Sequence, residues 1–176
     1  MTHICVIALD FDGVILRSHT VKADAFYELF LPHGKKFAEF VRRHHLRNGG
    51  MTRYQKFEYY YERLQLPYTD ADRKRLDREF SHLVVGRLMK SPIMPGLKSF
   101  LRAATNVVDL VVVSAAPERE VQTILRKRGL SVFFKKIYGS PTEKAENLKR
   151  VARILNIDAA KILYFGDAIN DYRATR

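Results

Sequence analysis

The stretch Ile4-Cys5-Val6-Ile7-Ala8-Leu9-Asp10-Phe11-Asp12-Gly13 decides the fold. Its unbroken apolar run reads as a strand covered on both faces, the pattern of a parallel sheet sandwiched by helices. Asp10 and Asp12 leave that strand at its carboxyl end, the edge where open α/β sheets bind ligands. Two carboxylates so close need a cation or a shared proton. A helix cap followed by a turn residue would give the same two letters. The far end of the chain narrows the choice. There Ile162-Leu163-Tyr164-Phe165 opens into Gly166-Asp167-Ala168-Ile169-Asn170-Asp171. Two strands that each deliver acids at their carboxyl ends describe a site for a hard cation.

Between these ends, residues 107–113 form a mostly β-branched run and residues 136–138 a shorter one. Helical patterns over residues 97–104, 118–128 and 142–155 separate the strands, which predicts right-handed crossovers and a parallel, Rossmann-like α/β sheet. Residues 20–90 break the alternation with four helical patterns. Phe26, Leu29 and Phe30 share a face in the first, and Phe37, Phe40 and Val41 in the second. Tyr54, Phe57, Tyr61 and Leu64 do so in the third, and Leu76, Phe80, Leu83, Val84 and Leu88 in the fourth. Spacings of three and four make these aromatics the core of a bundle rather than a stacking platform. Breaks at Pro32-His33-Gly34, Asn48-Gly49-Gly50 and Pro67 punctuate the helices. The expected organisation is a core of residues 1–19 and 91–176 with a helical module, 20–90, inserted after the first strand. The chain stops five residues beyond Asp171, where a further strand is expected, so a core cut short at its carboxyl end is expected.

The chain's 176 residues suit one domain with a small insertion. No apolar stretch is long enough for a bilayer, and the amino terminus lacks secretory-signal architecture, so a cytoplasmic location and no membrane partner are expected. Cys5, the sole cysteine, lies inside the first apolar run and reads as a structural thiol. With 31 basic against 19 acidic side chains, the net charge of +12 favours anionic partners. The basic clusters Arg73-Lys74-Arg75 and Arg126-Lys127-Arg128 nevertheless fall in amphipathic helix patterns, as solvated faces do. With no zinc-ligand spacing and no RNA-binding aromatic signature, nucleic acid is not the expected partner. A non-catalytic module binding anions or nucleic acid stays as an alternative.

Four strand-end loops therefore carry chemistry: Asp10 and Asp12, then Ser114-Ala115-Ala116-Pro117, then Lys144 behind Gly139-Ser140-Pro141-Thr142-Glu143, and finally Asp167 and Asp171. This order resembles the haloacid dehalogenase (HAD) superfamily, chiefly phosphatases and phosphotransferases, and the helical insertion lies where that superfamily carries a helical cap. The cap resembles those of phosphoglycolate-phosphatase-like and sugar-phosphate mutase-like members. The resemblance implies Asp10 as nucleophile, Asp12 as general acid and base, and Gly13 as the residue that turns the backbone beside the phosphate. It implies Mg²⁺ held by Asp10, the Asp12 main-chain carbonyl and Asp167. Ser114 and the amides of Ala115 and Ala116 would bind the phosphoryl group, although Ser114 also suits a helix N-cap ahead of Pro117-Glu118. Lys144 would neutralise nucleophile and phosphate, with Lys135, Lys136 and Lys149 as competitors. Asp171 would hold Lys144 or a metal-bound water, or complement a helix dipole.

An acid at Asp12 suits an alkoxide leaving group, which needs a proton, better than a halide, which does not. Arg53 and Lys56 stand at a helix start where cations oppose the macrodipole, which points to a ligand; as surface charges they need no explanation. The implied function is a Mg²⁺-dependent phosphatase of a small phosphorylated metabolite acting through an aspartyl-phosphate. A phosphomutase on the same machinery is the alternative.

Overall fold

The computed structural model describes residues 3–49 and 51–176; Gly50, part of an expected helix break, lies outside them. Four strands, β1 (Val6–Leu9), β2 (Asp109–Pro117), β3 (Lys136–Ser140) and β4 (Ile162–Phe165), form one sheet in the order β3-β2-β1-β4. Every pairing is parallel. Helices α5 (Leu97–Ala104), α6 (Glu118–Lys127), α7 (Lys144–Leu155) and α8 (Ile169–Ala174) accompany the strands. The α/β core and its order of elements are those expected from the alternating pattern. The strand of residues 107–113 starts two residues later and runs on to Pro117.

Alternation along the strands divides the core in two. Val6, Ala8, Val111 and Val113 pack with Tyr138, Leu148 and Val151 on one face of the sheet. Leu9, Leu110 and Val112 face the other way, into a cluster that includes Val121, Ile124 and Leu125 of α6. This second cluster continues without a break into the inserted helices α1 (His19–Phe30), α2 (Lys35–Arg47), α3 (Arg53–Arg63) and α4 (Asp70–Lys90). The two links into the insertion run side by side: Arg17 N–H donates to Pro92 O, and Met94 N–H to Ile15 O. Arg128 reinforces this end through guanidinium bonds to the carbonyls of Met89 and Ser91, 2.7 and 2.8 Å, just where α4 runs out of amide donors.

The aromatics of the insertion are its core. Phe26 has its ring centroid 4.3 Å from that of Phe80 and 5.9 Å from those of Phe57 and Tyr60, and all four are buried. The α3 start is fixed by a reciprocal capping box between Thr52 and Gln55. Phe26→Ala should therefore destabilise the protein by about 3–5 kcal/mol, as truncation of a fully buried aromatic does. Urea unfolding followed by circular dichroism measures this; a loss under about 1 kcal/mol would mean that the ring is not packed as described.

Candidate active site

Register brings the acids together. Leu9 pairs with Val112 on one side and Phe165 on the other, so β1 and β4 end level. The amide of Asp10 donates to Phe165 O at 2.9 Å, which ties the first acid to the strand that delivers the last ones. One carboxylate oxygen from each of Asp10, Asp167 and Asp171 lies within 4.8 Å of the other two. Asp10 and Asp171 are buried, whereas Asp167 is exposed. Gly13, directly after Asp12, has φ 75°, a left-handed turn that glycine enters without strain.

Lys144 at the first position of α7 answers this charge. Its ammonium donates to Asp10 Oδ2 at 2.7 Å and to Asp171 Oδ1. Of the four lysines weighed from sequence, it is the one that meets Asp10; Lys135 instead pairs with Asp109. Burial opposes the lysine's charge, but the two carboxylates outweigh it and hold Lys144 above the usual lysine range. Burial pushes the Asp10 carboxyl up to about 6, against the pull of Lys144, with the Asp171 and Asp12 charges adding to the rise. Asp171 does both things its sequence context allowed. Besides holding Lys144, its Oδ2 accepts the amides of Asp167 and Ala168, both at 3.0 Å. A Cβ on Gly166 would meet that side chain at 2.4 Å, so the glycine is needed for the close approach. Tyr164 hydroxyl bridges Val113 O at 3.0 Å and Asp171 Oδ1 at 3.3 Å, and burial keeps its phenol protonated far beyond neutral pH.

Ser114 is fully buried, and its hydroxyl accepts the Ala116 amide at 3.1 Å. It does not cap α6, because β2 runs on to Pro117 and Pro117 itself precedes the helix. Ala115 and Ala116 line the cleft that also contains Asp10, Asp12 and Asp167.

The insertion closes this cleft with cations, two of which the sequence singled out. Arg53 and Lys56 both line it and both are buried, which removes the solvated-surface reading. Their neighbours differ. Arg53 donates to Asp77 at 3.1 Å and Ser81 at 2.7 Å on α4, and to Glu120 at 2.7 Å on α6. Lys56 Nζ lies 2.9 Å from His45 Nδ1. Lys22, Ser18, His45 and Glu120 carried no signal in the sequence. Lys22 and Ser18 both donate to the Asp12 carboxylate. Burial alone would raise Asp12, but the Lys22 ammonium and these hydrogen bonds hold its carboxyl below the usual range. Only about 30 Å³ of free space remains at the centre of the cleft. That is on the scale of one water.

Residues 4–176 match the family model described as haloacid dehalogenase-like hydrolase. No curated protein sequence matched the chain. Among solved structures, the fold is similar to a predicted phosphoglycolate phosphatase from Haemophilus somnus (22% identity, TM-score 0.75, 99% of this chain and 82% of that one). It is also similar to β-phosphoglucomutase from Clostridium difficile (21% identity, TM-score 0.78, 98% of this chain and 80% of that one). CbbY from Rhodobacter sphaeroides, solved with xylulose-(1,5)bisphosphate, is a third (17% identity, TM-score 0.77, 98% and 81%). No helix among the described residues is long and apolar enough to cross a membrane.

Burial pushes the Lys56 ammonium down to about 7, with Lys22 and Lys144 adding to the fall and Asp12 opposing it. The unfolded chain holds that proton up to about 10.5, so the folded state carries the full cost below about pH 7 and sheds it as pH rises toward 10.5. Lys56→Met should accordingly stabilise the fold, by more at about pH 6 than at about pH 9. Urea midpoints at the two pH values test this; a destabilised variant, or a gain that grows with pH, would contradict it.

Proposed function

Because the chain belongs to the haloacid dehalogenase-like hydrolases and is a hydrolytic enzyme, we propose that it is a Mg²⁺-dependent phosphatase of a small phosphorylated metabolite. The observation that carries this reading is the meeting of Asp10, Lys144 and Asp167 at one sheet edge, from segments that are far apart in the chain. An oxygen of the Asp10 carboxylate attacks phosphorus. The bond from phosphorus to the ester oxygen breaks, and that oxygen leaves with its electron pair and takes a proton from Asp12. Water then attacks the phosphorus of the aspartyl-phosphate and gives a proton to Asp12. Inorganic phosphate leaves and the Asp10 carboxylate is restored. Lys144 neutralises charge on Asp10 and on the phosphoryl oxygens, and the Ser114 hydroxyl with the amide of Ala115 supplies hydrogen bonds to the same oxygens; the Ala116 amide, bonded to Ser114 Oγ, joins them only on leaving that contact.

Hard oxygen donors at Asp10, the Asp12 main-chain carbonyl and Asp167 fit Mg²⁺, and the close grouping of the Asp10, Asp167 and Asp171 carboxylates supports a cation there. Bound in that position, the ion would neutralise phosphoryl charge as a Lewis acid. Asp12 is ionised by its contact with Lys22, the state needed to activate water; to act first as an acid it must gain a proton and loosen that contact. The small free space implies that the inserted helices, or the side chains they carry, move when substrate enters. A phosphomutase would use the same groups and pass the phosphoryl to a second hydroxyl.

Para-nitrophenyl phosphate and rapid quench test the nucleophile. Asp10→Asn should lower turnover by at least about a thousandfold and abolish acid-stable phosphoprotein. A labelled intermediate that survives in the variant would move the chemistry to another residue. Turnover that is unchanged in excess chelator would remove the metal from the mechanism, and release of inorganic phosphate separates hydrolysis from transfer.

A further inference from the structure

Helix α1 is a wall between two hollows. Lys22 and Phe26 on its inner face line the catalytic cleft. Val21, Asp24, Tyr27 and Glu28, on the opposite side of the helix, line a second groove of about 790 Å³. The two hollows share no lining residue. Helices α2 and α4 close the groove together with both links between insertion and core, which reach it at Arg17 and at Ser91 and Pro92. The links are joined there by the Arg17 N–H bond to Pro92 O, 2.9 Å. Most acids of the lining are spoken for: Arg42 holds Asp24 at 2.9 Å and Arg87 holds Glu28 at 2.9 Å, which leaves Glu39 on α2. Two cations remain, Arg17 on the entering link and Lys90, the last residue of α4, before the returning one. Both are exposed, and among the described residues neither has a carboxylate partner. One exposed cation needs no ligand. Two that face the same hollow from opposite links repel, and an anion between them removes that cost. Half-buried Val21 and Tyr27 offer apolar contact to a carbon skeleton in the same space.

We propose that this groove is a regulatory site for a small organic polyanion, its charges on carboxylates or phosphates, which bridges Arg17 and Lys90 and opposes substrate binding at the cleft behind α1. The direction follows from the geometry. The groove belongs to the arrangement in which the cleft keeps only about 30 Å³ of free space, so substrate entry requires a different one. The links and α1 are the parts that both hollows depend on. Ser18 follows Arg17 directly, and with Lys22 it donates to the Asp12 carboxylate. A ligand that ties one link to the other holds α1, Ser18 and Lys22 in the resting arrangement, and Asp12 with them. Ligands that favour different arrangements of one wall weaken each other's binding by the same factor. The site is defined by binding; the phosphatase reading is needed only for the kinetic measurement.

The test uses tricarballylate and methylenebisphosphonate on the full chain, with free Mg²⁺ held constant and para-nitrophenyl phosphate as substrate. At least one probe should raise KM by roughly five- to a hundredfold and then reach a plateau, the range and the signature of coupling between separate sites. An anion that competes inside the cleft raises KM without limit. The more potent probe identifies the charged group as carboxylate or phosphate. Joint replacement Arg17→Gln and Lys90→Gln should abolish the plateau effect and leave KM and kcat without probe unchanged, because neither side chain lines the cleft. Arg17→Lys with Lys90→Arg keeps both charges and should keep the effect. By calorimetry the double glutamine variant should bind the effective probe at least about tenfold more weakly than the original chain. Absence of binding by both probes overturns the proposal, as does a rise in KM with no plateau. An effect that survives in the double glutamine variant, or binding that leaves KM unchanged, overturns it too. If para-nitrophenyl phosphate is not hydrolysed but calorimetric affinity falls in that variant, the groove stands and the phosphatase reading falls. If hydrolysis proceeds and neither probe binds, the reverse holds.

Discussion

The Lys144 ammonium between Asp10 and Asp171 is the interaction on which the site depends. Carboxylates gathered at one sheet edge repel, and two of the three are out of water. Removing the cation would leave each acid to regain a proton or to move away. The lysine stands at the first turn of α7, where the helix dipole disfavours a positive charge. That penalty is a fraction of what two buried contacts return. The scaffold serves this contact from several sides. Level ends of β1 and β4 set the acids side by side, Gly166 lets Asp171 come close, and Tyr164 braces the Asp171 carboxylate.

The cations of the insertion obey the same rule in three different ways. Lys22 is satisfied by Asp12. Arg53 joins α3 to α4 through Asp77 and to the core helix α6 through Glu120, so its guanidinium also fastens the insertion to the core. The Gln55 amide donates to Glu143 at 2.8 Å and adds a second polar clasp from the same helix turn. Such clasps hold only modestly. Their groups recover hydration when they part, and Glu120 Oε1 has no hydrogen-bond partner among the described residues. A closure maintained by nearly balanced terms is one that a ligand can shift. Among the described residues no carboxylate pairs with Lys56, although the Asp12 charge acts on it from nearby, and its burial is the least favourable of the three for folding alone.

Local pattern and the order of elements along the chain were legible in the sequence because they follow from apolar runs and from periodicities of three to four. An apolar run ending in Asp-Phe-Asp-Gly marks a buried strand with acids at its rim, and the aromatics of the insertion repeat at helix spacing. Lys144 was distinguishable from Lys135, Lys136 and Lys149 by its motif, and it is the one at the acids. Ser114 was ambiguous between a ligand and a helix cap; the extension of β2 to Pro117 disposes of the cap, a matter of strand length that composition does not fix. Lys22, His45 and Glu120 were not legible. Each occupies an ordinary polar position on an amphipathic helix. Its partner is ten or more residues away, at Asp12, Lys56 or Arg53, and only the packing of helices against the sheet brings them together.

The charge excess of +12 acquires a different meaning once its members are located. Many cations lie on exposed helix faces and pair at the surface, Arg73 with Asp70 and Arg75 with Glu79 within α4 and Arg87 with Glu28 across to α1, contacts that contribute little in water. The four buried ones, Lys22, Arg53, Lys56 and Lys144, surround one cleft or its immediate border. A field is strengthened where the walls are of low dielectric, so these few govern what the cleft attracts, whereas the many outside raise the general concentration of anions around the protein. A nucleic acid needs an extended basic surface that follows its backbone. A small anion needs a few cations around a space no larger than itself. The buried charges have the second arrangement, and their shared border with Asp10 and Asp167 joins anion capture to the acids that would act on it.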